Sequence, residues 1–223
     1  LKDNAVDTQL GFTVILKDGK SIMHSNQHMV QLSKADGSRM TTTFSRDELK
    51  EARSIVNNHL GVGRFVSTGT SATLTPANRI QHALYFTSAA RANSDIGLKV
   101  SFYCSAIEAL FASNPSELTH QLSERVASFL EDDPRKRSVL YGDVKRAYSV
   151  RSIVVHGKRA KASRCDQFVE AAEALDKMLR QVYFKIFTEP VAMTLIKLDD
   201  EEFNTHFLLR IFGASWKDLV DND

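Results

Sequence analysis

Proline, glycine and cysteine are all scarce in this sequence, and each shortage excludes a class of protein. Four Pro and ten Gly among 223 residues are too few for a collagen-like or low-complexity chain. Cys104 and Cys165 lie far apart and in no C-x-x-C spacing, so we expect reduced thiols in a cytoplasmic protein. No apolar run approaches the roughly 20 residues that cross a bilayer, so no membrane segment is expected.

The familiar enzyme motifs are also missing. The sequence has no Walker A motif, no G-x-G-x-x-G, no H-E-x-x-H and no G-x-S-x-G. His24 and His28 are four residues apart in strand-like sequence, which places them roughly 13 Å apart. We therefore predict neither a metal site nor a cofactor.

The charges that are present are unevenly distributed, although the net charge is only +2. Residues 135–164 are strongly basic, and the residues after 198 are rich in Asp and Glu. A basic segment in a near-neutral protein is a candidate for binding phosphate groups. The alternative interpretation is a solvated helix face.

The first seventy residues carry strand signals. Apolar runs flank Asp18-Gly19 and again Asp36-Gly37, which predicts two β-hairpins. Ser45 and Glu48 form a capping box, so a helix should run from there to about Leu60. We expect residues 1–70 to form a small antiparallel β-containing region with one helix, followed by a Gly/Ser/Thr-rich connector.

From residue 76 onward the periodicity is helical, so the fold class is mainly α. Pro76 suggests a first helix start, and Asp95 opens a helix that is apolar almost all round and should be central. Further helices are predicted over about 116–130, 135–156 with Gly157 as C-cap, 164–187 and 201–212. We expect a helical bundle over 76–190, with a C-terminal helix and an acidic tail over 191–223.

The stretch AYSVRSIVVHGKRA, residues 147–160, ends the long helix with polar side chains. At about 100° per residue, Arg151 and His156 lie about 140° apart around the helix axis. Tyr148, Ser152 and His156 are spaced i, i+4, which predicts one polar stripe with Arg151 beside it. Three apolar side chains should face the core: Val150, Ile153 and Val154.

An imidazole beside a guanidinium suits the cleavage of a phosphodiester, because the first titrates near neutral pH and the second stays charged. His156 would move protons, and Arg151 would stabilise the charge on phosphorus in the transition state. With RNA the nucleophile is the substrate's own 2′-OH, so no metal is required. Spacing alone is explained more simply by a helix C-cap at His156 and a surface or salt-bridged residue at Arg151.

Several segments of the helical part are similar to HEPN domains, a helical class found in many bacterial toxins and defence systems. RSIVVHG (151–157) matches the R-x4-6-H signature of that class. FYCSAIEALFA (102–112), SERVASFL (123–130) and VKRAYSVRSIVVHGK (144–158) follow the order and spacing of the Apea-like HEPN branch. The resemblance covers residues 76–190.

This resemblance implies a metal-independent endoribonuclease in which Arg151 and His156 are the catalytic pair. Tyr148, Ser152 and Glu108 would support the site. Ser152 stands where the family often has Asn, Asp or His, and Glu108 matches an acidic residue of the preceding core helix. Because a buried carboxylate needs a partner, we expect Glu108 to pair with Arg125 or Arg151. The alternative is a purely structural Glu108.

RNA and a second copy of the chain are the partners that the resemblance implies. HEPN ribonucleases commonly dimerise so that two motifs face one cleft. Four basic side chains would then hold the RNA backbone: Lys145, Arg146, Lys158 and Arg159. A role in anti-phage defence or abortive infection, with a regulatory partner or antitoxin, would follow. The alternatives are a non-catalytic HEPN module for dimerisation, nucleotide or partner binding, and a plain helical scaffold.

Overall fold

The computed structural model describes residues 2–7, 12–18, 20–25, 31–55, 57, 78–113, 117–156 and 164–215. Within these ranges the chain is mainly helical, as the sequence predicts. The strands are β1 Val6–Asp7, β2 Phe12–Lys17, β3 Lys20–Ser25 and β4 Gln31–Leu32. The helices are α1 Arg46–Ile55, α2 Arg79–Ala92, α3 Ile96–Phe111, α4 Leu118–Leu130, α5 Pro134–Val155, α6 Cys165–Thr188, α7 Pro190–Lys197 and α8 Asp200–Ile211.

The strands form two antiparallel pairs. β2 pairs with β3 in the register Phe12↔Ser25 to Lys17↔Lys20, around Asp18 in the left-handed region at φ 51°. β4 pairs with β1 rather than with a later strand. The second predicted hairpin, around Asp36-Gly37, is therefore wrong, although a tight turn is closed there by backbone hydrogen bonds. The residues just before this turn contact the end of helix α2 instead, because Ser33 N–H donates to the Arg91 carbonyl at 2.9 Å.

Helix α3 lies at the centre of the bundle and packs against α2, α5 and α6. Most of its apolar side chains are almost completely buried, although Leu98 is 44% exposed; the buried ones are Val100, Tyr103, Cys104, Ala106, Ile107, Leu110 and Phe111. Among the helices that the structure describes, none combines the length and the apolar character needed to cross a membrane.

The start of α2 and the end of α5 differ from the sequence prediction, and the predicted end of α1 near Leu60 lies outside the described residues. α2 begins at Arg79 and not at Pro76, because Asn78 and Gln81 form a capping box in which each side chain accepts from the other's backbone N–H. α5 ends at Val155 with His156 as its C-cap, while the predicted cap Gly157 lies outside the described residues. The C-terminal part contains two helices, since α7 precedes the predicted α8.

The C-terminal end of α3 is held by two arginines from other helices. Arg79 of α2 donates to the carbonyls of Leu110 and Ala112, at 3.4 and 2.9 Å. Arg125 of α4 donates to the Phe111 carbonyl at 2.7 Å. Positive groups are favourable at a helix C-terminus, where the last carbonyls have no partner within the helix.

Candidate active site

Helices α3 and α5 run antiparallel along the candidate site. Gly97, near the start of α3, meets Val154 at the end of α5, and about two turns further along α3 the Cys104 carbonyl oxygen lies 3.2 Å from the Tyr148 hydroxyl of α5. Side chains in a helix lean toward its N-terminus. Arg151 and Glu108 therefore lean toward each other across the two helices, although their backbones lie at different heights.

Arg151 and Glu108 form a two-pronged ion pair. Arg151 Nη1 donates to Glu108 Oε1, and Nη2 donates to Oε2 at 3.3 Å. The two side chains are 27% and 22% exposed, so solvent reaches the pair. The expected partner of Glu108 is thus Arg151, whereas Arg125 bonds to the end of α3. The pair holds the guanidinium in a fixed orientation while leaving part of it open to a ligand.

Tyr148 contacts both members of this ion pair. Its hydroxyl donates to Glu108 Oε1 at 3.1 Å and lies 3.2 Å from the Cys104 carbonyl oxygen. The Arg151 guanidinium lies 5.6 Å from the centre of the Tyr148 ring. Burial raises the pKa of Tyr148 well above its usual value, and Glu108 adds to the effect, so the hydroxyl remains a donor. Tyr148 is a positioning residue in this arrangement.

The predicted polar stripe of Tyr148, Ser152 and His156 is wrong in one member. Tyr148 is buried against α3, whereas Ser152 and His156 are exposed on α5. The His156 backbone N–H donates to the Ser152 carbonyl at 3.2 Å, which closes the last turn of the helix. Among the apolar neighbours, Val150 is buried and Val155 is 63% exposed. The structure therefore places Arg151 in contact with Glu108 and Tyr148, whereas His156 is exposed to solvent at the C-terminal end of α5.

Lys145 and Arg146, predicted to bind an RNA backbone, are both exposed on α5. Arg146 forms an ion pair with Asp143, three residues earlier. Lys158 and Arg159 lie outside the described residues. At the start of α5, Lys136 also pairs with an acidic residue, Glu131, at 3.7 Å. Part of the positive charge of the basic segment is thus balanced locally.

A buried polar cluster that the sequence analysis did not identify lies between α2, α3 and α6. Asp176 of α6 accepts from the Tyr103 hydroxyl at 3.0 Å and from Arg180 Nε at 2.7 Å. Arg91 Nη1 lies 3.6 Å from the same carboxylate. Lys99, completely buried nearby, donates to the Ala90 carbonyl at 3.2 Å. The available signal was the presence of Lys and Asp on the apolar faces of α3 and α6.

A groove of about 750 Å³ lies between α4, α5 and α6, away from the Arg151 pair. Apolar and charged side chains both line it, but none of the predicted site residues does. Within the described ranges, no cluster of three or more His, Cys, Asp or Glu side chains is arranged to hold a metal ion.

Comparisons with known proteins add no relative to this description. A scan against protein-family models, a search of curated proteins and a search of solved structures all returned no match to this chain.

Proposed function

We propose that this protein is a metal-independent endoribonuclease of the HEPN class, with Arg151 and His156 as its catalytic pair. The observation that carries the proposal is the oriented guanidinium of Arg151 on the same helix as the exposed imidazole of His156. Arg151 is fixed by Glu108 and Tyr148, yet more than a quarter of its side chain is exposed. A charged donor that is already oriented stabilises a phosphorane without reorganisation during the reaction.

The reaction would use the substrate's own hydroxyl as nucleophile. The imidazole of His156 accepts the proton of the 2′-OH, and the 2′-oxygen bonds to phosphorus while the P–O5′ bond breaks. The leaving 5′-oxygen takes a proton from a water molecule, and His156 later returns its proton to solvent, so the products are a 2′,3′-cyclic phosphate and a 5′-hydroxyl end. Arg151 binds a non-bridging phosphate oxygen through guanidinium N–H groups that do not face Glu108.

A homodimer would complete the site. Arg151 and His156 point to sides of α5 that differ by about 140°, so a single copy presents them poorly to one phosphate. Two copies that face each other across a cleft would place the Arg of one chain opposite the His of its partner. Lys145, Arg146 and the two bases beyond His156, Lys158 and Arg159, would then lie along the RNA backbone.

Cleavage of a mixed RNA panel in EDTA tests the proposal. The wild-type protein should leave 2′,3′-cyclic phosphate ends, and Arg151→Ala or His156→Ala should lower the rate by about 10²–10⁴-fold. His120→Ala on α4 and Arg53→Ala on α1 replace exposed residues of the same types outside the basic segment and serve as matched controls. Full cleavage by either motif variant would refute the assignment to this site.

The second candidate is a non-catalytic HEPN module that dimerises or binds a nucleotide or partner protein. The observation that favours it is the ion pair itself, because Glu108 already balances the charge of Arg151. In this case RNA is not cleaved, and Glu108→Gln strengthens nucleotide binding by freeing the guanidinium. Equilibrium binding of a nucleotide to Glu108→Gln and to the wild type compares the two outcomes directly.

The biological setting is proposed on the same basis. A HEPN ribonuclease of this kind would act in the cytoplasm in anti-phage defence or abortive infection, restrained by a regulatory partner or an antitoxin. Residues 1–70 would form a small antiparallel β-containing unit beside the HEPN-type bundle of residues 76–190.

A further inference from the structure

The N-terminal region is fastened to the corner between α2 and α3. Ser33 donates through its Oγ to the Asn93 carbonyl at 2.7 Å, and Arg91 donates to the side-chain oxygen of Asn4, also at 2.7 Å. Asp3 accepts from the Ala35 backbone N–H at 2.9 Å, which links the first residues to the turn at 33–38. The bonds of Ser33 and Arg91 join parts of the chain that are about sixty to ninety residues apart.

The same segment covers a buried charge on α3. Lys99 is completely buried, and besides the Ala90 carbonyl its Nζ lies 3.5 Å from the Ser33 carbonyl oxygen. An ammonium group held away from water needs its acceptors, because each unsatisfied donor costs free energy. If the segment around Ser33 moved away, the Lys99 ammonium group would lose the Ser33 carbonyl oxygen as an acceptor. The segment is therefore part of what holds the start of α3 in place.

Two close approaches then connect this corner to the end of α5. A Cβ at Gly37 would lie 2.9 Å from Ile96 Cδ1 and 3.1 Å from the Ser94 carbonyl oxygen, so the turn packs directly on the start of α3. A Cβ at Gly97 would lie 2.9 Å from Val154 Cγ2, so the start of α3 packs directly on the last turn of α5. His156 caps that turn.

We propose that residues 2–5 and 33–38 act as a strap that positions the last turn of α5, and with it His156, through the start of α3. The strap contacts α2 and α3, and its effect passes to α5 at the Gly97–Val154 contact. Tight packing makes this transfer effective, because a core without voids does not absorb a displacement at one of its edges. The catalytic role of His156 rests on the proposed function, but the mechanical coupling does not.

Hydrogen exchange measures the coupling without any assumption about activity. Gly37→Ala places a Cβ against Ile96 at a φ of +80°, which strains the turn and displaces it from α3. The backbone amides of 96–99 and of 153–156 should then both exchange faster, by roughly five- to thirtyfold. Gly213→Ala is the matched control, because Gly213 also has positive φ and no described atom lies within 4 Å of its Cβ position.

Two further variants keep the test decisive. If Gly37→Ala fails to fold, Ser33→Ala removes one fastening of the strap and should accelerate the same two groups of amides to a smaller extent. Val154→Ala opens the contact with Gly97, so in that background Gly37→Ala should affect 96–99 but no longer 153–156. If Gly37→Ala alone, with Val154 intact, accelerates exchange at 96–99 but not at 153–156, the proposed coupling through the strap is wrong.

RNA cleavage separates this inference from the proposed function. If the wild type cleaves RNA, Gly37→Ala should lower the rate and Gly213→Ala should leave it unchanged. If the wild type cleaves no RNA, the ribonuclease proposal fails, while the exchange at 153–156 still decides for or against the strap.

Discussion

Replacing Lys99 should change how the stability of the protein depends on pH. Burial, with a smaller contribution from Arg91, lowers the pKa of Lys99 from 10.5 to about 8. The folded protein therefore releases this proton at a lower pH than the unfolded chain does. Between pH 8 and pH 10.5 the unfolded chain binds more protons, so the free energy of unfolding rises with pH in this window.

The magnitude follows from the pKa difference. At 1.36 kcal/mol per pKa unit, keeping Lys99 charged costs the folded state about 3 kcal/mol at pH values below 8. Raising the pH from 8 to 9.5 should recover about 1–2 kcal/mol of that cost. Burial raises the pKa of Cys104 and of Tyr103, and these groups act in the opposite direction as the unfolded chain loses their protons.

The assay compares urea unfolding of the wild type and of Lys99→Met at pH 8 and at pH 9.5. Both proteins contain Cys104 and Tyr103, so the contributions of these groups cancel in the difference between the two proteins. Wild type relative to Lys99→Met should gain about 1–2 kcal/mol over this interval. Lys177→Met, which replaces an exposed lysine of α6, is the control and should show no such gain. If the free energy of unfolding changes by the same amount between pH 8 and pH 9.5 in the wild type and in Lys99→Met, the reasoning is refuted.

Two further substitutions test local parts of the structure. Asp199 Oδ1 accepts from the backbone N–H of Glu201 at 3.0 Å and of Glu202 at 2.9 Å, so Asp199→Ala should cost about 1 kcal/mol. Chemical unfolding measures this cost, and an unchanged midpoint would contradict the cap. Glu108→Gln should cost about 1–2 kcal/mol, because it leaves the partly buried Arg151 without its counter-charge. Adding Arg151→Met should recover part of that loss, and full additivity of the two costs would argue against the pair.

Local signals predicted most of the helices, because a helix start depends on a few neighbouring residues. The capping box of Ser45 and Glu48 is present, with Glu48 N–H donating to Ser45 Oγ at 3.2 Å. Asp95 caps α3 as expected. The start of α2 was misplaced although Asn78 and Gln81 carried an equally local signal, since Pro76 gave a competing start.

Long-range contacts account for what the sequence did not predict in the N-terminal part. Asp36-Gly37 makes the turn that a hairpin requires, and Gly37 has the positive φ that such turns use. The residues before it bond to the end of α2 rather than to a neighbouring strand. No pattern within 31–45 reveals a partner near residue 91, so turn chemistry alone gave the wrong topology.

The contacts of Arg151 and Tyr148 depend on how the helices pack, which the sequence does not give. The sequence offered Arg125 and Arg151 as partners for Glu108, and the choice depends on the antiparallel alignment of α3 with α5. Periodicity placed Tyr148 beside Ser152 and His156, yet it does not determine how far the buried face of a helix extends. Tyr148 lies within that face because its hydroxyl finds acceptors on α3.

Arg125, which bonds to the C-terminal end of α3, also links that end to α8, and this link affects which truncations the fold can withstand. Arg125 Nη2 and the Ser113 hydroxyl both donate to Asn204 Oδ1 on α8, each at 2.5 Å. The Arg125 guanidinium also lies 5.4 Å from the rings of Phe203 and Phe207. Removing α8 would take away both rings, of which Phe207 packs 6.2 Å from the Phe111 ring of α3, and would deprive the buried Arg125 of one of its acceptors.

A protease that removes the chain from residue 199 onward would therefore loosen the middle of the bundle and not merely trim its end. Leu110 and Phe111 belong to the most buried helix, but the groups that satisfy their carbonyls come from α2 and α4, and the group that steadies Arg125 comes from α8. Segments that are distant along the chain thus unfold together. We therefore expect α8 to belong to the same cooperative unit as the first turn of α2, where Arg79 pairs with Asp200, and a minimal folding fragment should contain both.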